Sequence, residues 1–129
     1  MLEVYTDAAT VGNPGSSAVG IYIKKGKLNE EYQFLIGEYS NHEAEFIAVI
    51  KALEICKEKY PEEILSFRSD SRIVVDSIEK EYATKKEFLK LLEEIKSMTP
   101  TFPYFFIKWI PEKQNKIADQ LARKALLKL

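Results

Sequence analysis

A single cysteine in 129 residues, Cys56, has no partner in the chain, so an internal disulfide is excluded and a reducing cytoplasm is the expected setting. A single histidine, His42, excludes the helical zinc motif that needs two, and it is expected to face solvent or touch a loop. No apolar run reaches the ~18 residues that span a bilayer. The first residues lack the basic-then-apolar order of a secretory leader, so neither a membrane span nor a signal peptide is expected. No linker, low-complexity tract or repeat interrupts the chain, and its length suits one domain over residues 1–129. Net charge is also scarce, at −1. That balance hides a division: nine basic and fifteen acidic residues run through Ala83, then ten basic and five acidic follow. A basic final third suits a polyanion, and it equally suits a solvated helical surface.

The apolar pattern predicts nine elements. LEVYTDA, residues 2–8, reads as a strand ending on an acid, Asp7, with a Gly12-Asn13-Pro14-Gly15 loop after it. Residues 17–25 and 28–36 read as two more strands joined through Lys25-Gly26-Lys27, making an antiparallel meander. A helix capped by Ser40 or Asn41 carries Ala48, Val49, Ala52, Leu53 and Cys56 at helical spacing and ends near Tyr60-Pro61. A strand over 64–70, a short helix over 71–80 and an amphipathic helix over 85–98 follow. An aromatic strand over 103–110 and a helix over 112–128 complete the order βββαβααβα. In that strand Tyr104, Phe105, Phe106 and Trp109 read as sheet packing. The order implies an α/β fold with a five-stranded mixed sheet, three antiparallel strands and then parallel ones, flanked by helices. If the first and fourth strands are neighbours, Asp7 and Asp70 stand side by side at the edge where such sheets bind ligands.

Two further acids stand in odd places. Glu45 shares a helical stripe with Val49, Ala52 and Cys56, which points it inward. Asp119 lies among small residues, one turn before Ala122 and Arg123. Singly, each acid has an ordinary reading: Asp7 bonded to a loop, Asp70-Ser71 as a helix cap, Glu45 favouring a helix dipole, Asp119 paired with Arg123. Four carboxylates converging on one spot, however, repel one another unless cations lie between them, and hard oxygen ligands suit magnesium or manganese.

Four segments, TDAATVGNPG, SNHEAEFIAVIKALE, SFRSDS and NKIADQLARKAL, in this order and at these intervals, resemble type 1 ribonuclease H over nearly the whole chain. The resemblance implies a ribonuclease H-like fold and a metal-dependent endoribonuclease that cuts the RNA strand of RNA–DNA hybrids. It implies two Mg2+ ions, or Mn2+, held by Asp7, Glu45, Asp70 and Asp119 as metal-binding and catalytic residues. Gly12, Asn13 and Asn41 match family positions that contact the hybrid, and Arg72 is a further candidate for a phosphate or sugar. Many members carry a histidine between the last strand and the last helix. Here that stretch is KWIPEKQNKIAD, which resembles the histidine-less branch and has Glu112-Lys113 after the proline. Ala8 stands where the family often has glycine, and Lys85, Lys86 and Lys90 are the residues available to replace a basic extension. A monomer is the default expectation. The alternative is a catalytically weak relative that binds nucleic acid, and a third reading keeps the fold with a different nuclease or recombinase substrate.

Overall fold

The computed structural model describes residues 1–128. Among them, β1 (Leu2–Gly12), β2 (Gly15–Lys25) and β3 (Leu28–Tyr39) form the expected antiparallel meander. There follow α1 (Asn41–Lys59), β4 (Ile64–Ser69), α2 (Arg72–Lys80), α3 (Lys86–Met98), β5 (Tyr104–Trp109) and α4 (Lys116–Leu127). The sheet order is β3-β2-β1-β4-β5, with β4 parallel to β1 and β5 parallel to β4. The expected α/β architecture, mixed sheet and neighbouring first and fourth strands are therefore present. No described helix is long and apolar enough to cross a membrane.

Local chemistry explains the boundaries that matter for function. α1 starts at a capping box: the Ser40 hydroxyl accepts from the Glu43 amide at 3.2 Å, and the Glu43 carboxylate accepts from the Ser40 amide at 3.0 Å. This fixes the first turn, which carries Glu45. Ser71 caps α2 from the residue after Asp70, accepting from Val74 N at 3.4 Å.

Strand alternation divides the sheet into two faces. Leu2, Val4, Ile21, Ile23 and Phe67 meet Phe46, Val49 and Leu53 of α1 and, beyond them, Phe88 and Leu92 of α3 in one continuous core. Cys56 is buried in it, and burial pushes its thiol up to about 12, which rules it out as a nucleophile at neutral pH. The opposite face carries α4 alone. There Gly20 lets the helix touch the sheet backbone: a Cβ at Gly20 would lie 2.1 Å from Ala118 O and 2.7 Å from Ala122 N.

Three expectations need correction. β1 does not end at Asp7 and no loop follows it directly. The strand runs on to Gly12, and only its parallel pairing with β4 stops, at Thr6↔Ser69. The rest of β1 continues as a hairpin with β2, whose tip is Asn13-Pro14, and β2 stays paired with β3 up to Gly15↔Tyr39. Gly15 is obligatory there, because a Cβ would lie 1.7 Å from Val11 O. The last helix begins at Lys116, not at 112, because residues 112–114 form a separate 3-10 turn and Asn115 (φ −117°, ψ 30°) leaves helical geometry. Finally, Trp109 and Tyr104 are not core residues. They are 36% and 60% exposed, since β5 is the edge strand of the sheet.

Candidate active site

Where β4 stops and β1 continues, Asp7 loses its lateral neighbour on one side, and the chain after Ser69 turns Asp70 toward the gap. Glu45 enters from the first turns of α1. One carboxylate oxygen from each of Asp7, Glu45 and Asp70 lies within 4.8 Å of the other two. Asp119, in the first turn of α4, lines the same cleft of about 490 Å3, together with Glu112 and Arg123. It stands outside the three-acid cluster and is held at the rim by Arg123, whose Nε donates to Asp119 Oδ1 at 3.0 Å. The ordinary pairing of Asp119 with Arg123 and its place in the cleft thus coexist.

The electrostatics of the cluster are costly. Asp7 is 4% exposed, and burial, reinforced by repulsion from Asp70, pushes its carboxyl up to about 8. Burial and then Asp7 and Asp70 raise Glu45 well above the carboxylate range. Glu45 Oε1 is buried with no hydrogen-bond partner among the described residues. Asp70 is raised by burial, and the Asn115 amide opposes the shift. An orphaned buried carboxylate oxygen facing two other carboxylates fits a hard divalent cation: all donors are oxygen, and a cation would remove both the repulsion and the unmet hydrogen bond. The three acids are a candidate divalent-metal site.

The side chains that hold these acids carry no periodicity signal. Asn115 is 1% exposed, and its Nδ2 donates to Thr6 O at 2.8 Å and reaches Asp70 Oδ2 at 3.5 Å, the outer limit of a hydrogen bond. A flipped amide would set oxygen against two acceptors, so the donor orientation is required. The indole Nε1 of Trp109 donates to Asp70 O at 3.1 Å, and the Arg72 guanidinium stacks 3.8 Å above the ring. Arg72 therefore braces the turn after β4 and does not line the acidic cleft. Farther along the hairpin from Asp7, the Asn41 amide donates to Asn13 Oδ1 at 2.9 Å, which ties the hairpin tip with Gly12 to the start of α1. His42 is exposed and sits edge-on to Phe88 at 6.0 Å, while Lys85 lies 5.5 Å from the same ring. Lys85, Lys86 and Lys90 are all exposed near the start of α3.

Residues 5–125 match the family model described as reverse transcriptase-like. The chain is a member of that ribonuclease H-like family. Its relatives include the protein named "Putative hydrolase EbsB" from Enterococcus faecalis, 45% identical over 99% of this chain and 96% of that one. Ribonuclease HI of Halobacterium salinarum is 30% identical over 97% of this chain, which spans 64% of that protein. The crystal structure of RNase H1 from the same archaeon superposes with a TM-score of 0.92 at 28% identity, covering 99% of this chain and 98% of that one. LC11-RNase H1, solved in complex with RNA/DNA hybrid, gives 0.83 at 28% identity over 99% and 98%. Within this ribonuclease H-like frame, the segment without a histidine folds as the 3-10 turn over 112–114 and brings Glu112 into the acidic cleft. Its carboxylate raises Asp70 further.

Proposed function

We propose that the chain is an endoribonuclease that cuts the RNA strand of RNA–DNA hybrids and acts as a monomeric ribonuclease H-like unit over residues 1–129 in the cytoplasm. The observation that carries this reading is the trio Asp7, Glu45 and Asp70 with its orphaned Glu45 oxygen. Asp7, Glu45 and Asp70 would hold two Mg2+ or Mn2+ ions, with Asp119 closing the site from α4. When bound, such ions generate a water nucleophile at neutral pH and offset charge on the leaving 3′ oxygen.

The chain's own residues position and screen. Thr6 O and the Asn115 amide fix the carboxylate of Asp70 against Asp7, and Arg123 keeps Asp119 turned into the cleft. A bound cation would displace the proton from Asp7, whose carboxyl is pushed up to about 8, and would offset the burial and repulsion that raise Glu45. Gly12, Asn13 and Asn41 offer a short, low-profile ridge of backbone and amide groups at the hairpin tip and the start of α1, suited to 2′-hydroxyls along a shallow minor groove. Lys85, Lys86 and Lys90 supply positive charge for the phosphates on the flanking side. Arg72 on its Trp109 platform is a phosphate contact at the edge of the site.

The test is cleavage of a strand-labelled hybrid with Mg2+ or Mn2+, with duplex DNA as competitor at equal salt. Cuts confined to the RNA strand are expected. Asp7→Asn, Glu45→Gln and Asp70→Asn should each lower the rate by more than about a hundredfold, the upper cost of losing a residue that only hydrogen-bonds to a metal ligand. Asp119→Asn should cost less, because that acid stands outside the trio. Full activity in Asp70→Asn would remove the metal-cluster model, and bound but uncut hybrid would leave a nucleic-acid-binding relative.

A further inference from the structure

The helix-poor side of the sheet holds a second concavity, on the far side of the 112–116 segment from the acids. Tyr5 of β1 and Tyr22 of β2 form its floor, their rings 5.7 Å apart and inclined by 38°. Lys24 flanks the floor from β2, and Lys113, Lys116 and the 40%-exposed Ile117 form the opposite wall. The cavity is about 290 Å3, near the lower end of the ~300–1,000 Å3 typical of ligand sites. No carboxylate is among the described residues that line it. Glu3 of the floor strand accepts from the Tyr5 hydroxyl at 3.0 Å and is paired with Arg68 at 2.7 Å, and the Arg68 guanidinium in turn lies 5.4 Å from the centre of the Tyr5 ring. Glu112 belongs to the other side of the segment, where Lys113 and Lys116 also line the outer cleft beside Asp119. The same two lysines therefore border the concavity and this outer cleft, which meets the acidic cleft at Glu112 and Asp119.

We propose that this concavity binds a base of the single-stranded RNA extension that leaves the acidic centre, so that the protein grips its substrate beyond the duplex. The inference rests on the hybrid-cleaving reading above. Aromatic faces beside lysines, without a competing carboxylate, complement a ligand that is both stacking and polyanionic. An acidic or purely apolar partner would find only part of that match. The shared lysines give the direction: a strand with a phosphate at the acids passes Lys116 and Lys113 and then meets Tyr22. That strand is the RNA, and the cavity accommodates one base, not a run of them.

Binding is measured by anisotropy with the Asp70→Asn protein, which leaves substrate intact. The probes are a blunt hybrid, the same hybrid with a single-stranded RNA extension at either end, and the same with DNA extensions. An RNA extension at one end should tighten binding about tenfold, as expected for one stacked base. Tyr22→Ala should return the ratio of extended to blunt affinity to one, and Tyr22→Phe should preserve it. Lys24→Ala should halve the advantage or more. Equal affinity for blunt and extended hybrids overturns the proposal, as does an advantage that survives Tyr22→Ala. An equal gain from DNA extensions overturns the assignment to the RNA strand. A wild-type protein that leaves blunt hybrid uncut defeats the hybrid-cleaving reading instead, so the two failures are separable.

Discussion

The two faces of the sheet solve different problems. One is filled with bulk: Leu2, Val4, Ile21, Ile23 and Phe67 press against Phe46, Val49 and Leu53, with large side chains in continuous contact. The other is built by omission. Gly20 has no side chain, Ala118 and Ala122 have almost none, and α4 rests on the sheet backbone itself. Bulk supplies stability, because apolar area removed from water dominates folding. Close approach supplies placement, because Gly20 is the β2 partner of Asp7, and α4 carries Asp119 and follows directly on Asn115. Bulk thus fills one side of the layer, close approach sets Asn115 and Asp119 on the other, and Glu45 reaches the site from the filled side on α1.

That division can be broken from either side. Truncating Phe67→Ala opens a hole in the filled face and should cost about 3–5 kcal/mol in chemical denaturation. Its metal-dependent activity per folded molecule should stay near wild type, and a collapse of activity in the folded fraction would blur the division. Gly20→Ala drives a methyl into Ala118 O and Ala122 N, where backbone must yield. A loss of about 1–3 kcal/mol is expected, accompanied by a severalfold fall in cleavage as α4 withdraws from Asp7. Unchanged cleavage in Gly20→Ala would mean that the close approach serves packing alone.

The comparison is sharpened by pH. Asp7 titrates near 8 in the folded chain against 3.8 in a free side chain, so the folded state holds the extra proton between those values. Raising the pH from 4 toward 9 in chelator therefore strips stability from the protein, because ionising the buried acid favours the unfolded chain. Thermal melting should fall steadily across that window, and a divalent cation should restore it most strongly at the high end. A melting temperature that rises with pH in chelator would contradict the burial of Asp7.

Most of the filled face was readable in advance, because helical and alternating periodicities announce large residues that need burial. Ala48, Val49, Ala52, Leu53 and Cys56 kept their stripe, and the order of elements held throughout. The acids were readable as anomalies, being charges where the pattern wanted apolar or capping residues. The face built by omission was silent. Gly20 looked like one more residue of an apolar strand, and its meaning depends on a helix about a hundred positions later in the chain. Asn115 was lost inside a helix drawn too long, since its departure from helical geometry is set by Thr6 and Asp70 and not by its neighbours. Asp7 was read as a strand end because a loop signal followed, yet what ends there is the partner strand. Periodicity reports which face a residue takes, and it says nothing of where a neighbour stops.

The bond between Asn115 and Thr6 joins positions 109 apart in sequence. A polypeptide that emerges from its N-terminus lays down the meander first and sets Asp7 in it early, while the amide that orients Asp70 and the acid that closes the cleft come with the last helix. All three acids of the cluster are in the chain by Asp70, yet the amide that braces Asp70 follows 45 positions later, so the acids are made before the side chain that holds one of them in place.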